Sequence, residues 1–146
     1  MKSIKLFKIN EINREDVLKI SVHENQKCFV MSVEKALDIA EKNISNVYPF
    51  AIYAEELVGF AMLRYNLEYN NFFIWQLIID RNYQNKGYGK SAVLKIIEWI
   101  KSKNIAKEIT TTVSNGNVVS EKLFKQVGFI EMDGDSVEEM DLIYML

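Results

Sequence analysis

The stretch LIIDRNYQNKGYGKSAVLKIIEWI, Leu77 to Ile100, passes from an unbroken apolar run through a glycine-bearing turn into a helical pattern, and the fold follows from how that passage is read. On its upstream side Phe72 to Ile79 is almost continuously apolar, as a strand covered on both faces requires. Downstream, Val93, Ile96, Ile97 and Ile100 recur at helical spacing, with Lys90, Lys95, Glu98 and Lys101 on the other side. A strand that feeds a helix through glycines presents the helix N-terminus, with its amides and positive dipole end, to whatever anion lies there.

Three phosphate-binding spellings can be tested on the turn. It ends in Gly89, Lys90 and Ser91, as a nucleotide-hydrolase loop does, but the first glycine of such a loop would fall at position 84, which is Gln. The dinucleotide pattern fails as well, because Ala92 stands where its third glycine belongs. What remains is Gln84, Gly87 and Gly89. On the residues alone this is either a tight strand-to-helix turn or a cradle in which a missing β-carbon lets a diphosphate approach the backbone.

Working outward, IKLFKI alternates as a first strand with Ile4, Leu6 and Ile9 inward, and INREDVLKI and SVEKALDIAEKN read as helices. The second opens at a Ser32 cap and turns Val33, Leu37 and Ile39 to Ala40 toward the core. Two strands joined at Glu55 and Glu56 precede the central strand as a meander. After the long helix, KEITTTV is a strand, and NVVSEKLFKQVG is a helix stopped by Gly128 with Val119, Leu123 and Val127 as its core stripe. FIEM and LIYML close the chain as strands.

At 146 residues and 49% hydrophobic, the chain suits one domain spanning 1–146. Eighteen basic against twenty acidic side chains leave a formal charge of -2, which gives no general attraction for nucleic acid or anionic lipid. Without a signal-like or membrane-spanning apolar run, a cytoplasmic location is expected. With one cysteine, Cys28, and one histidine, His23, a zinc site would have to lean on carboxylates, and no metal is expected.

The central stretch resembles the acetyl-coenzyme A motif of the GNAT family of N-acetyltransferases, Gln or Arg, x, x, Gly, x, Gly or Ala, and SNGNVVSEKLFKQVGF resembles a later segment of that family. FAIYAEELVGFAML, IWQLIIDRNYQNKGYGK and SVHENQKCFV further resemble its bacterial spermine/spermidine acetyltransferase branch. The resemblance implies an α/β fold, α+β in stricter usage, with a central mixed, mostly antiparallel sheet of about six or seven strands flanked by helices. It implies acetyl-coenzyme A as cosubstrate, a small-molecule amine acceptor with polyamines first, and no metal. Neither nucleic acid nor membrane is expected as a partner, and a homodimer is left open.

Carried onto this chain, the resemblance assigns the pantetheine arm to the backbone of Leu77, Ile78 and Ile79, with an amide of Leu77 polarising the thioester carbonyl. It assigns the pyrophosphate to Gln84, Asn85, Lys86, Gly87, Tyr88, Gly89 and Lys90. Asn117 matches an asparagine near the coenzyme arm, and it is equally a helix cap. Seven positions on, where many members carry a leaving-group tyrosine, this chain has Phe124, on the shoulder of the expected core stripe and within reach of the thiol but without a proton to give. The strand before the motif also lacks the glutamate some branches use there.

An acceptor amine near pKa about 10.4 must lose a proton before it attacks. Glu24, in the branch-like segment, is the candidate base or ammonium-binding carboxylate, with an exposed loop glutamate as the plain alternative. From Glu131 to Leu146 there are Glu131, Asp133, Asp135, Glu138, Glu139 and Asp141 and no Lys or Arg. Beside the acceptor such a run would attract a polycation; elsewhere it is a solvated hairpin. Two other readings stay compatible: a catalytically weak coenzyme A-binding sensor, and an acetyltransferase for an antibiotic or a protein amino terminus.

Overall fold

In the computed structural model, which describes residues 3–134 and 136–146, the apolar run is strand β4 (Asn71–Ile79), the middle strand of a seven-stranded sheet. Three strands precede it as an antiparallel meander: β1 (Lys5–Lys8), β2 (Val47–Tyr53) and β3 (Leu57–Asn66). Beyond it lie β5 (Glu108–Ser114), β6 (Ile130–Glu131) and β7 (Glu139–Met145), in the order β1-β2-β3-β4-β5-β7-β6. Among the described residues only β4 and β5 pair in parallel, and the crossover that a parallel pair needs is made by helix α3 (Tyr88–Lys103). The expected mixed, mostly antiparallel sheet is found.

Each face of the sheet carries its own apolar cluster. Helix α1 (Arg14–Leu18) and helix α2 (Val33–Lys42) set Val17, Val33, Leu37 and Ala40 against Val47, Phe60, Met62 and Ile78. On the other face α3 contributes Ile96, Ile97 and Ile100, packed with Phe50, Leu63, Phe72 and Ile109. Helix α4 (Val118–Val127) joins this second cluster. The local stops agree with the residues present: Ser32 Oγ accepts from the Lys35 amide at 3.2 Å to start α2, and Gly128 at φ 123° ends α4.

A bulge decides how β4 is used. Met62 of β3 lies opposite Gln76, but Leu63 lies opposite Ile74, so Trp75 is an extra residue on β4. Before it, Phe72 and Ile74 face the α3 side; after it, Leu77 and Ile79 do so, while Ile78 turns to the α2 side. One inserted residue therefore reverses the parity of the strand and bends it. The ladder with β5 stops at the same place, covering only Asn71 to Ile74 against Glu108 to Thr111. There the buried Thr111 hydroxyl donates to the Ile74 carbonyl at 2.9 Å, while β5 stays paired with β7 as far as Ser114.

Three departures from the sequence reading bear on the site. The irregular segment after α1 contains a 3-10 helix, Glu24–Phe29, that periodicity did not reveal. Strand β7 starts earlier than LIYML, at Glu139, taking up the end of the acidic run. In α4 the stripe is centred on Phe124, which is buried, whereas Val119 is 69% exposed. The tertiary position of α4 rotates its inner face by about one residue from the apolar pattern, because Val119 lies along a cleft.

Candidate active site

Where β4 and β5 part, a cleft of about 830 Å³ opens between the end of β4, the glycine turn, α4 and the 3-10 helix. This is within the usual size range of small-molecule sites. Leu77, Ile78 and Ile79 line it, and their backbone is paired with Ala61, Phe60 and Gly59 of β3 on one side only. Their other edge has no ladder with β5, so it offers strand amides and carbonyls to an extended ligand. A smaller polar depression of about 270 Å³, around Arg64, Asn71 and Thr110, lies at the opposite end of β4.

The turn after β4 is held by its own polar groups. Asp80 accepts from the Asn82 amide at 3.2 Å and from the Ser21 amide at 3.0 Å, tying the turn to the segment before the 3-10 helix. Gln84 donates to the Ile79 carbonyl at 2.9 Å. Asn85 at φ 63° and Gly87 at φ 86° then turn the chain through left-handed conformations into α3. Gly89 and Lys90 fall in the first turn of that helix, where amides have no intrahelical acceptor and the dipole favours an anion. The open strand edge, the left-handed turn and the helix start together fit an extended ligand with a diphosphate end.

Most residues assigned from sequence come together here: Leu77, Ile78, Ile79, Gln84, Asn85, Gly87, Tyr88, Gly89, Lys90 and Asn117 all line the cleft. Asn117 also accepts from the Ser120 amide at 3.4 Å, so it caps α4 while facing the cleft. Lys86 does not line it; its ammonium lies over the Tyr83 ring, 5.8 Å from the ring centre. Tyr83 lines the cleft, and its hydroxyl donates to Glu56, which raises its pKa from the ordinary tyrosine value.

Two further assigned residues lie outside the cleft lining. Glu24 is outside the cleft lining, with its carboxylate 87% exposed and paired with the Lys27 ammonium at 2.7 Å. That hydrogen bond and charge hold its carboxyl below the usual value, which makes it a poorer base. A 3-10 helix turns successive side chains through about 120°, so its neighbours His23, Asn25 and Gln26 face the cleft while Glu24 does not. Phe124 is likewise absent from the lining: its ring is 4% exposed and packs edge-on against Phe129 at 5.1 Å between centres.

What sequence reasoning missed sits on two elements. The 3-10 helix brings Gln26, and α4 brings Ser120, Lys122 and Leu123. SVHENQKCFV drew attention to the first element, but only the position of the short helix tells which of its polar residues turns inward. Among the described residues that line the cleft there is no Asp or Glu; the ionisable ones are His23, Tyr83, Tyr88, Lys90 and Lys122. The acidic run lies at the same end of the sheet, where Glu139 pairs with Ser114 and the Asn115 amide donates to the Glu138 carbonyl at 2.8 Å. Asp135 lies outside the described residues.

The sequence profile of the Acetyltransferase (GNAT) family matches residues 15–129. The spermine/spermidine N(1)-acetyltransferase of Bacillus subtilis (strain 168) is 28% identical over 152 residues, with 96% of this chain and 99% of that protein covered. Among solved structures, the spermidine N-acetyltransferase from Vibrio cholerae in complex with CoA and spermine superposes with a TM-score of 0.79 at 15% identity, covering 97% of this chain and 95% of that one. The PaiA N-acetyltransferase from Thermoplasma acidophilum in complex with coenzyme A gives a TM-score of 0.73 at 21% identity, with 99% of each chain covered.

Proposed function

Since the chain belongs to the acetyltransferase (GNAT) family and is an acetyl-coenzyme A-dependent N-acetyltransferase, we propose that its acceptor is a primary amine of a polyamine such as spermine or spermidine, acetylated by direct attack in a ternary complex. The observation that carries the chemistry is the parting of β4 from β5 at Ile74, which leaves one edge of Leu77 to Ile79 without a partner strand beside the glycine turn. That edge binds the amides of the pantetheine arm, and the first turn of α3 takes the pyrophosphate. The Leu77 amide stabilises the oxyanion that forms when the amine adds to the thioester.

With Glu24 turned away, the proton of the acceptor ammonium leaves through water or His23 rather than a carboxylate of the cleft wall. Helix α4 carries no tyrosine, and a thiol with a reference pKa of about 8.5 is already a serviceable leaving group. The polyamine choice is supported by the relative's name and by the acidic run at the cleft end of the sheet. Its charges would act over about 8 Å at physiological salt.

The test is steady-state turnover of acetyl-coenzyme A on a panel of amines. Spermine and spermidine should exceed monoamines in kcat/KM, and the advantage should shrink with added salt. Equal use of monoamines at low salt sinks the polyamine assignment and leaves the acetyltransferase standing. Slow turnover on every amine, with normal coenzyme A binding, would favour the reading as a weak enzyme that senses coenzyme A, which the inward Phe124 supports.

A further inference from the structure

The two walls of the cleft, 58 residues apart in sequence, are joined by a reciprocal pair of side-chain amides. Gln26 Nε2 donates to Gln84 Oε1 at 3.0 Å, and Gln84 Nε2 donates to Gln26 Oε1 at 3.0 Å. Each amide is also tied to main chain on its own side. Gln26 Oε1 accepts from the His23 amide at 3.2 Å, and Gln84 Nε2 donates to the Ile79 carbonyl at 2.9 Å. A continuous chain of hydrogen bonds thus runs from the backbone of the 3-10 segment, through two half-buried side chains, to the last residue of β4. Both glutamines line the cleft, and each is hydrogen-bonded through both its oxygen and its nitrogen.

The wiring is more specific than packing requires. Ser21 is already anchored to the turn, by its amide to Asp80 and by its carbonyl from the Arg81 amide at 2.8 Å, so the segment would stay attached without the glutamines. What the amide pair adds is the position of His23, Asn25 and Gln26 relative to Leu77 and Ile79, that is, of the loop wall relative to the strand edge that holds the thioester in the proposed function. We propose that Gln26 is a positioning residue for acyl transfer, holding the wall formed by the 3-10 helix in register with the end of β4 through Gln84. This rests on the acetyltransferase reading of the cleft.

A misplacement of about 1 Å between reacting groups can cost on the order of 100-fold in rate while leaving ligand affinity nearly intact. Gln26→Met, which keeps the volume and removes the amide, should therefore lower kcat about 10- to 100-fold on the best amine of the panel. Coenzyme A affinity, measured by calorimetry, should change less than about threefold, because the first turn of α3 is untouched. Turnover is expressed per coenzyme A-binding site, so a loss of folded protein does not imitate a loss of rate.

The conservative rescue is a charged copy of the same pair. Gln26→Glu leaves Gln84 Oε1 without its donor and should be slow; adding Gln84→Arg supplies donors both to the new carboxylate and to the Ile79 carbonyl, and should restore most of the rate. The double variant also serves if Gln26→Met folds poorly. Wild-type kcat per binding site in Gln26→Met, or parallel losses of coenzyme affinity and rate with no rescue, overturns the positioning role while the acetyltransferase reading survives. If the wild-type protein acetylates no amine, that reading falls and the positioning role falls with it.

Discussion

A β-carbon placed on Gly89 would lie 3.2 Å from Leu123 Cδ2, so the first turn of α3 and the middle of α4 touch at the floor of the cleft. A side chain at this position would need Leu123 to give by a few tenths of an ångström. Gly89→Val should cost about 1–3 kcal/mol through overpacking, seen as a lower denaturant midpoint, together with weaker coenzyme A binding. Shortening the neighbour in Gly89→Ala with Leu123→Val should recover stability relative to Gly89→Ala alone. Unchanged stability in Gly89→Val would mean that Leu123 moves aside freely.

Gly87 is constrained differently, since its φ of 86° opens α3 in a left-handed conformation. Gly87→Ala should lose about 1 kcal/mol in chemical denaturation and weaken coenzyme A binding in calorimetry as the turn relaxes. A variant with wild-type values in both measurements would separate the turn from the diphosphate site.

Glu24 is held below the ordinary carboxylate value by its hydrogen bond to Lys27 and then by that residue's charge. A lowered folded-state value means that any stability it lends is complete above the unfolded value and lost only as the pH falls through the folded one. Nothing about Glu24 therefore titrates near neutrality. Glu24→Gln should leave kcat and the shape of its pH profile between pH 6 and 9, a window of about three units, within about twofold of wild type. A tenfold fall or a displaced acid limb would return Glu24 to the chemistry.

Phe124→Tyr adds a hydroxyl to a ring that is 4% exposed and packed on Phe129. No gain in rate is expected, and burial of an unpaired hydroxyl should destabilise the protein by about 1–3 kcal/mol. A faster enzyme of unchanged stability would show that the new hydroxyl reaches the cleft and the sulfur.

Thr111→Val tests the point of parting itself. It preserves shape but leaves the Ile74 carbonyl without the hydroxyl that now donates to it at 2.9 Å in a buried place. A loss of about 1–3 kcal/mol is expected in urea denaturation. Fraying at this position should also show as faster amide exchange in β5, and protection unchanged from wild type would mean the bulge alone sets the opening.

The sequence carried the fold far because its strongest signals are local. The unbroken apolar run, the glycines and the helical spacing from Val93 to Ile100 each specify one element, and their order leaves few topologies. The turn after β4 was legible for the same reason: Gln84, Gly87 and Gly89 fall close together in one short segment. The facing wall of the cleft was not, because it is assembled from elements distant in sequence. Glu24 and Gln26 differ by two positions, and only the turn of a short 3-10 helix decides that one meets Lys27 in solvent and the other meets Gln84 in the cleft. The inner face of α4 was misplaced because its apolar pattern includes Val119, which borders the cleft, and periodicity cannot distinguish a cavity wall from a core.

The parting of β4 and β5 gives the sheet two strand edges that a continuous sheet of the same strands would not have. Such edges are templates for adding a further strand from any chain that reaches them, and barrels, charges and covering loops are the usual defences. In the proposed function the ligand itself would be the cover, since an extended arm lying along Leu77 to Ile79 would occupy the hydrogen-bonding row. Protein stored without coenzyme A should accordingly be the form that associates into aggregates on standing or warming. Saturating coenzyme A should suppress this beyond the mass-action gain in melting temperature, because it removes the template as well as populating the folded state.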